Sequence, residues 1–198
     1  MMKEASLSEL VWQGSQVTNA ERYQMLKQQP VTLWLTGLSG AGKSTLAYSL
    51  ERALTDLGRY CFVLDGDNVR HTLNRNLGFN HEDRTENVRR AAEVAKLMND
   101  AGLIVIAAFI SPYLEDREVA KAIIGESFFR EVYVSTPLNI CELRDPKGLY
   151  LKARSGELLD FTGVSSVYEQ PESPALAIDT SKTNLDDAIK QLIDLAIL

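Results

Sequence analysis

Gly37-Leu38-Ser39-Gly40-Ala41-Gly42-Lys43-Ser44-Thr45 fits the pattern G-x-x-x-x-G-K-[ST] and lies between an apolar run and a helical one. The preceding run, Val31-Thr32-Leu33-Trp34-Leu35, is short, β-branched and aromatic, which suits a buried parallel strand. Beyond the loop, Leu46, Ala47, Leu50, Ala53, Leu54 and Leu57 recur at helical spacing. Strand, loop and helix therefore stand in the order that builds a phosphate-binding turn. Three glycines let the backbone curl so that its N–H groups point at phosphate oxygens, and the N-terminal end of the following helix adds positive charge. The motif puts Lys43 on the β- and γ-phosphates of a nucleotide and Ser44 on Mg²⁺.

Composition bounds the rest. The chain has 198 residues, 45% of them hydrophobic, enough for one core. The simplest division is a polar N-terminal arm over 1–30 and one domain over 31–198. A net charge of −6 argues against a general nucleic-acid or anionic-membrane binder, so an anion must be gripped by local basic groups. No window has the length and apolarity of a transmembrane helix, and Met1-Met2-Lys3-Glu4-Ala5-Ser6 lacks a signal peptide's apolar core; the expectation is a cytoplasmic protein. Cys61 and Cys141 are far apart in neither a C-x-x-C nor a zinc spacing, and read as packed thiols.

In the arm, Thr18-Asn19-Ala20-Glu21 supplies capping chemistry for a helix from Thr18 to Gln28. After the loop, Gly58 ends the following helix and Cys61-Phe62-Val63-Leu64 predicts a second strand, running into Asp65-Gly66-Asp67. A polar segment over 68–83 precedes a long helix over 84–100, and 103–109 is the most hydrophobic strand, suited to the centre of a sheet. A helix over 113–124 and a strand over 130–134 follow. Residues 137–172 are charged and punctuated by glycine and proline, with only short helical pieces, and read as a lid and substrate loop. A fifth strand over 176–179 and an amphipathic helix over 184–198 close the chain. This alternation predicts a three-layer α/β/α fold of the P-loop NTPase class with a five-stranded parallel sheet, strands one and three central, and ligands at the C-terminal strand ends.

Each strand's carboxyl end then carries chemistry. Asp65 and Asp67 follow strand two and can hold Mg²⁺ through water or take a proton from an attacking hydroxyl. Ser111 follows strand three, and Pro112 breaks it. Arg70, Arg84 and, one helical turn on, Asn87 can meet anionic oxygens of an acceptor. Arg144, Lys147, Lys152 and Arg154 in the lid suit a flap closing on polyphosphate. Phe79 and Phe161 sit in polar surroundings where a phenylalanine must pack on something: a purine ring or the core. Phosphoryl transfer needs little beyond an in-line nucleophile, a metal and neutralising charge.

Together Asp65-Gly66-Asp67-Asn68-Val69-Arg70-His71, Leu77-Gly78-Phe79, Asp83-Arg84, Glu86-Asn87, Phe109-Ile110-Ser111-Pro112-Tyr113, Arg144-Asp145-Pro146-Lys147-Gly148-Leu149-Tyr150 and Phe161-Thr162-Gly163 resemble the adenylylsulfate kinase family, from about Val11 to the end of the chain. The resemblance implies transfer of the ATP γ-phosphate to the 3′-hydroxyl of adenosine 5′-phosphosulfate, giving 3′-phosphoadenylyl sulfate and ADP in sulfate activation, with ATP and Mg²⁺ required and a homodimer expected. It implies that Gly37 to Thr45 bind ATP, that Lys43, Asp65, Asp67 and Ser111 are catalytic, and that Ser44 and Asp65 hold the metal. Arg70, Arg84, Asn87, Ile110, Ser111 and Lys147 are then acceptor contacts, with Phe79 and Phe161 clamping the adenine. Family members are described with a phosphoserine at the position of Ser111. Thr72, Asn76, Leu151 and Ser165-Ser166-Val167 depart from the family pattern. Two alternatives remain: a kinase of the same fold acting on another small hydroxyl compound, and a nucleotide-binding regulator without turnover. The second should have lost Asp65, Asp67 or Lys43, and all three are present.

Overall fold

In the computed structural model, which describes residues 11–197, the first strand, β1 (Thr32–Thr36), is buried along its whole length. Residues 1–10 of the expected arm and the last residue of the closing helix lie outside the described residues. The remaining strands are β2 (Cys61–Asp65), β3 (Ile104–Ala108), β4 (Phe129–Val134) and β5 (Leu176–Ile178). They form one parallel sheet of five strands in the order β2-β3-β1-β4-β5, so β1 is at the centre and β3 beside it.

Alternation along the central strands divides the core. Leu33, Leu35, Ile104, Ile106, Val132 and Val134 point to one face, where α2 (Lys43–Asp56) and α8 (Leu185–Ile197) cover them with Leu46, Leu50, Leu54, Ala188 and Leu192. Trp34, Val105, Ala107, Phe109 and Phe129 point to the other. There α4 (His81–Asp100) and α5 (Leu114–Ile124) contribute Val88, Ala91, Ala92, Ala95, Ala120 and Ile124. The Trp34 indole stacks on Phe109, centroids 5.2 Å apart. Continuous apolar runs in β1 and β3 thus reflect burial on both faces.

Helix α1 (Asn19–Leu26) carries the expected capping box, with Thr18 and Glu21 reciprocally bonded. It docks at the end of the sheet away from the loop: Asn19 donates to Asp100, and Gln28 donates to the carbonyls of Tyr60 and Gly102. Most boundaries shift by one or two residues from the sequence expectation, and two larger differences lie near the strand ends. Helix α4 begins at His81 rather than residue 84, because Asn80 caps it by accepting from the Asp83 N–H at 2.8 Å. The segment expected to be merely polar after β2 opens with a short helix, α3 (Gly66–His71), whose cap is Asp65. No helix among the described residues is long and apolar enough to cross a membrane.

Candidate active site

At the C-terminal ends of the strands lies a cavity of about 740 Å³. One end of it is the loop between β1 and α2. Gly37 and Gly40 have φ of 152° and 75°, and a Cβ there would lie 2.5 Å from Val134 O and 2.9 Å from Cys141 O. Only glycine lets the loop lie this close to β4 and to α6 (Leu138–Arg144). The ammonium of Lys43, buried beneath the curl, donates to the carbonyls of Gly37 at 2.8 Å and Leu38 at 2.7 Å. Burial pushes its pKa down to about 8. Gly37, Leu38 and Ala41 form the back of the loop, whereas Ser39, Gly40, Gly42, Lys43, Ser44 and Thr45 line the cavity.

The two aspartates differ in burial and in partners. Asp65 is buried and fully engaged: Oδ1 accepts from the Asp67 N–H at 3.0 Å and Oδ2 from the Ser44 hydroxyl at 2.7 Å. Asp67 is exposed and ion-pairs with Lys147 of the 137–172 segment. Among the described residues no cluster of three His, Cys, Asp or Glu side chains could hold a metal alone. A hydroxyl beside one carboxylate suits a hard cation that takes its other ligands from phosphate oxygens and water, the manner in which Mg²⁺ binds.

At the other end stand the expected acceptor residues. The Arg70 guanidinium lies 4.5 Å over the Phe79 ring and donates to Gly78 O at 2.7 Å. Arg84 donates to Phe79 O and to the Thr162 hydroxyl, both at 2.6 Å, and to Asp160 O. Asn87 is buried, and its amide oxygen accepts from Asn74 at 2.9 Å, which leaves its NH₂ as a donor at the cavity wall. Ring Phe79 is exposed, whereas Phe161 is buried edge-on against Tyr150 at 5.0 Å, so core packing and cavity lining are both met by Phe161. Ile110 and Ser111 form the lip; Ser111 adopts φ 37° and its hydroxyl accepts from the Trp34 indole N–H at 3.1 Å.

Sequence reasoning missed several residues in or behind the cavity wall. Asn74 orients Asn87, and Thr162 orients Arg84. Thr180, after β5, accepts from Arg144 at 2.8 Å and donates to Ala41 O at 2.8 Å, tying the end of α6 to the glycine-rich loop. A strand-end rule applied to β5 would have found it. Of the lid cations, Arg154 is turned to Glu142 instead of the cavity. The departing positions are accommodated. Asn76 accepts from Arg90, Leu151 is exposed, and Ser165 accepts from the Phe161 N–H at 2.9 Å, bracing the turn that carries the ring. Thr72 caps the end of α3.

A phosphate loop at the strand ends of a 2-3-1-4-5 sheet, with an exposed carboxylate and an arginine-lined second half, defines a P-loop kinase of a small acceptor. The family model described as Adenylylsulphate kinase matches residues 29–179. An adenylyl-sulfate kinase of Shewanella sp. (strain MR-7) is 58% identical over 188 residues, covering 95% of this chain and 92% of its own length. The structure of the Mycobacterium tuberculosis APS kinase in complex with AMPPNP and APS superposes with a TM-score of 0.82 at 46% identity, over 85% of this chain and 98% of that one. A hexameric APS kinase from Thiobacillus denitrificans matches at 34% identity and a TM-score of 0.62, over 88% of this chain and 30% of its own. The chain belongs to the adenylylsulfate kinase family.

Proposed function

We propose a division of labour in the cleft by which this enzyme transfers the ATP γ-phosphate to the 3′-hydroxyl of adenosine 5′-phosphosulfate, giving 3′-phosphoadenylyl sulfate and ADP. The observation that carries it is one cavity holding the Lys43 loop, the exposed Asp67 and the Arg70/Phe79/Phe161 wall. Loop N–H groups and Lys43 take the polyphosphate. Ser44 and Asp65 would hold Mg²⁺, which neutralises charge on the transferred group when bound. Asp67, free of structural duties, accepts the proton of the 3′-hydroxyl as that oxygen attacks the γ-phosphorus and the bond to ADP breaks. Arg70, Arg84 and Asn87 meet the acceptor's anionic oxygens, Ile110 and Ser111 form its lip, and Lys147 reaches it from the 137–172 lid. A homodimer, which rests on the family resemblance, and a cytoplasmic location belong to the same proposal.

Across a panel of acceptors, ADP release is expected only with Mg²⁺ and a nucleotide bearing a free 3′-hydroxyl, adenosine 5′-phosphosulfate being preferred. Equal turnover with a sugar acceptor would overturn the reading. Phe161→Ala should raise the acceptor KM about tenfold, since base–aromatic stacking contributes about 1–3 kcal/mol, with the ATP KM unchanged. An unchanged acceptor KM alongside a lowered thermal midpoint would instead make Phe161 a packing residue for Tyr150.

Ser111 acts by position. A covalent relay needs a base to activate a weak hydroxyl nucleophile. Among the described residues, the hydroxyl's hydrogen-bond partner is the Trp34 indole, a donor. Phosphorylation of Ser111 would place negative charge where the acceptor's anion belongs and give an inhibited form. Ser111→Ala should therefore keep substantial turnover and lose mainly acceptor affinity. Rapid quench with labelled ATP checks this: a phosphoserine forming and decaying at the catalytic rate, with a dead alanine variant, would establish the relay.

A further inference from the structure

Behind the lip, outside the cavity, lies a charged side chain that the transfer itself does not use. Arg117, on α5, is 2% exposed. All three of its nitrogens are engaged: Nε with Glu131 Oε1 at 2.7 Å, Nη1 with Ser111 O at 2.7 Å and Nη2 with Glu169 O at 2.8 Å. Further bonds join the same two segments. Thr36 donates to Ile110 O at 2.8 Å and so must accept from the Tyr168 hydroxyl, 2.9 Å away. The Glu169 N–H donates to Pro112 O at 2.8 Å, and the Glu169 carboxylate accepts from the Leu114 N–H at 2.7 Å, capping α5 in place of a local side chain.

Two consequences follow. Ser111 is held in a left-handed conformation that a serine adopts only where its surroundings over-determine it, and Arg117 supplies one of the determining bonds. The loop that starts with Phe161 and Thr162 in the cavity wall is also anchored at both ends, by Arg84 on Thr162 and by Arg117 on Glu169. We infer that Arg117 is a positioning residue for the acceptor: it fixes the Ser111 lip and the 161–169 wall relative to each other, an inference resting on the acceptor reading given under Proposed function. A planar fork can serve three acceptors in three directions, whereas a lysine ammonium cannot reproduce that geometry.

The test compares Arg117→Lys with the double variant Arg117→Met/Glu131→Gln, in which the carboxylate left without its partner is also neutralised and stability is recovered. Both variants should show the KM for adenosine 5′-phosphosulfate raised about tenfold, with the ATP KM within twofold of wild type. In the unliganded proteins, amide hydrogen exchange should quicken together over 110–114 and 161–170 and stay unchanged in β1 and β3. Recovery of the acceptor KM along with the thermal midpoint in the double variant would show a merely structural role and overturn the inference; so would equal rises in both KM values. A wild type inactive on adenosine 5′-phosphosulfate would defeat the acceptor reading instead. The exchange result then decides alone, and segments that do not respond together overturn the inference.

Discussion

Asp67→Asn is expected to lower kcat by about 10²- to 10⁴-fold, the range for loss of a positioned proton acceptor, while ATP affinity stays within a few-fold. The reason is the contrast between neighbouring carboxylates. Asp65 spends its oxygens on the first turn of α3 and on Ser44, so it is committed to architecture and, in the proposed reading, to the metal side of the nucleotide. Asp67 lines the same cavity, and among the described residues its carboxylate is bound by the exposed Lys147 alone. Exposed pairs of this kind contribute little to stability, so the thermal midpoint should hardly move. Asp65→Asn should differ in kind, weakening Mg·ATP binding and loosening α3 at once. Single-turnover rates and ATP titrations on both variants separate the cases. Full turnover in Asp67→Asn with none in Asp65→Asn would exchange the two roles.

The family resemblance separates the two acids, with Asp65 on the metal, but the local pattern D-G-D does not show their difference in engagement. What distinguishes them is α3, a six-residue helix too short and polar to show periodicity, capped by the first acid. The sheet, by comparison, was legible almost throughout. Its central strands are buried on both faces and so carry unbroken apolar runs, and the strand-loop-helix around Lys43 sets which strand ends bear the ligands. Asp65, Asp67 and Ser111, placed by the strand-end rule, all line the cavity. Those missed act through partners distant in sequence: Asn74 on Asn87, Thr162 on Arg84, Thr180 on Arg144 and the loop. A lone Asn or Thr in a loop carries no local signal of such a contact. Phe161 shows the same limit, since one ring both packs on Tyr150 and faces the cavity.

Lys43→Met is expected to lower kcat by about 10²- to 10³-fold, the loss typical when one preorganised donor to developing charge is removed. Methionine keeps an unbranched side chain one atom shorter, with neither the charge nor the donors, so the Gly37 and Leu38 carbonyls lose their partner as well. The pH behaviour identifies the cause. Burial holds Lys43 near about 8, far below a free lysine at 10.5, so between these values the unfolded chain binds a proton that the folded chain does not. Folding stability of the unliganded wild type should therefore rise with pH across that window, by about 3 kcal/mol at most, and the rise should be absent from Lys43→Met. Polyphosphate beside the ammonium restores its affinity for the proton. ATP binding above pH 8 should then take up a proton, and its Kd should rise by up to about tenfold per pH unit there in wild type but not in the variant. Calorimetry in buffers of different ionisation enthalpy reads that uptake directly. Proton uptake of the same size in Lys43→Met would assign it to another group and remove Lys43 from the phosphate contact.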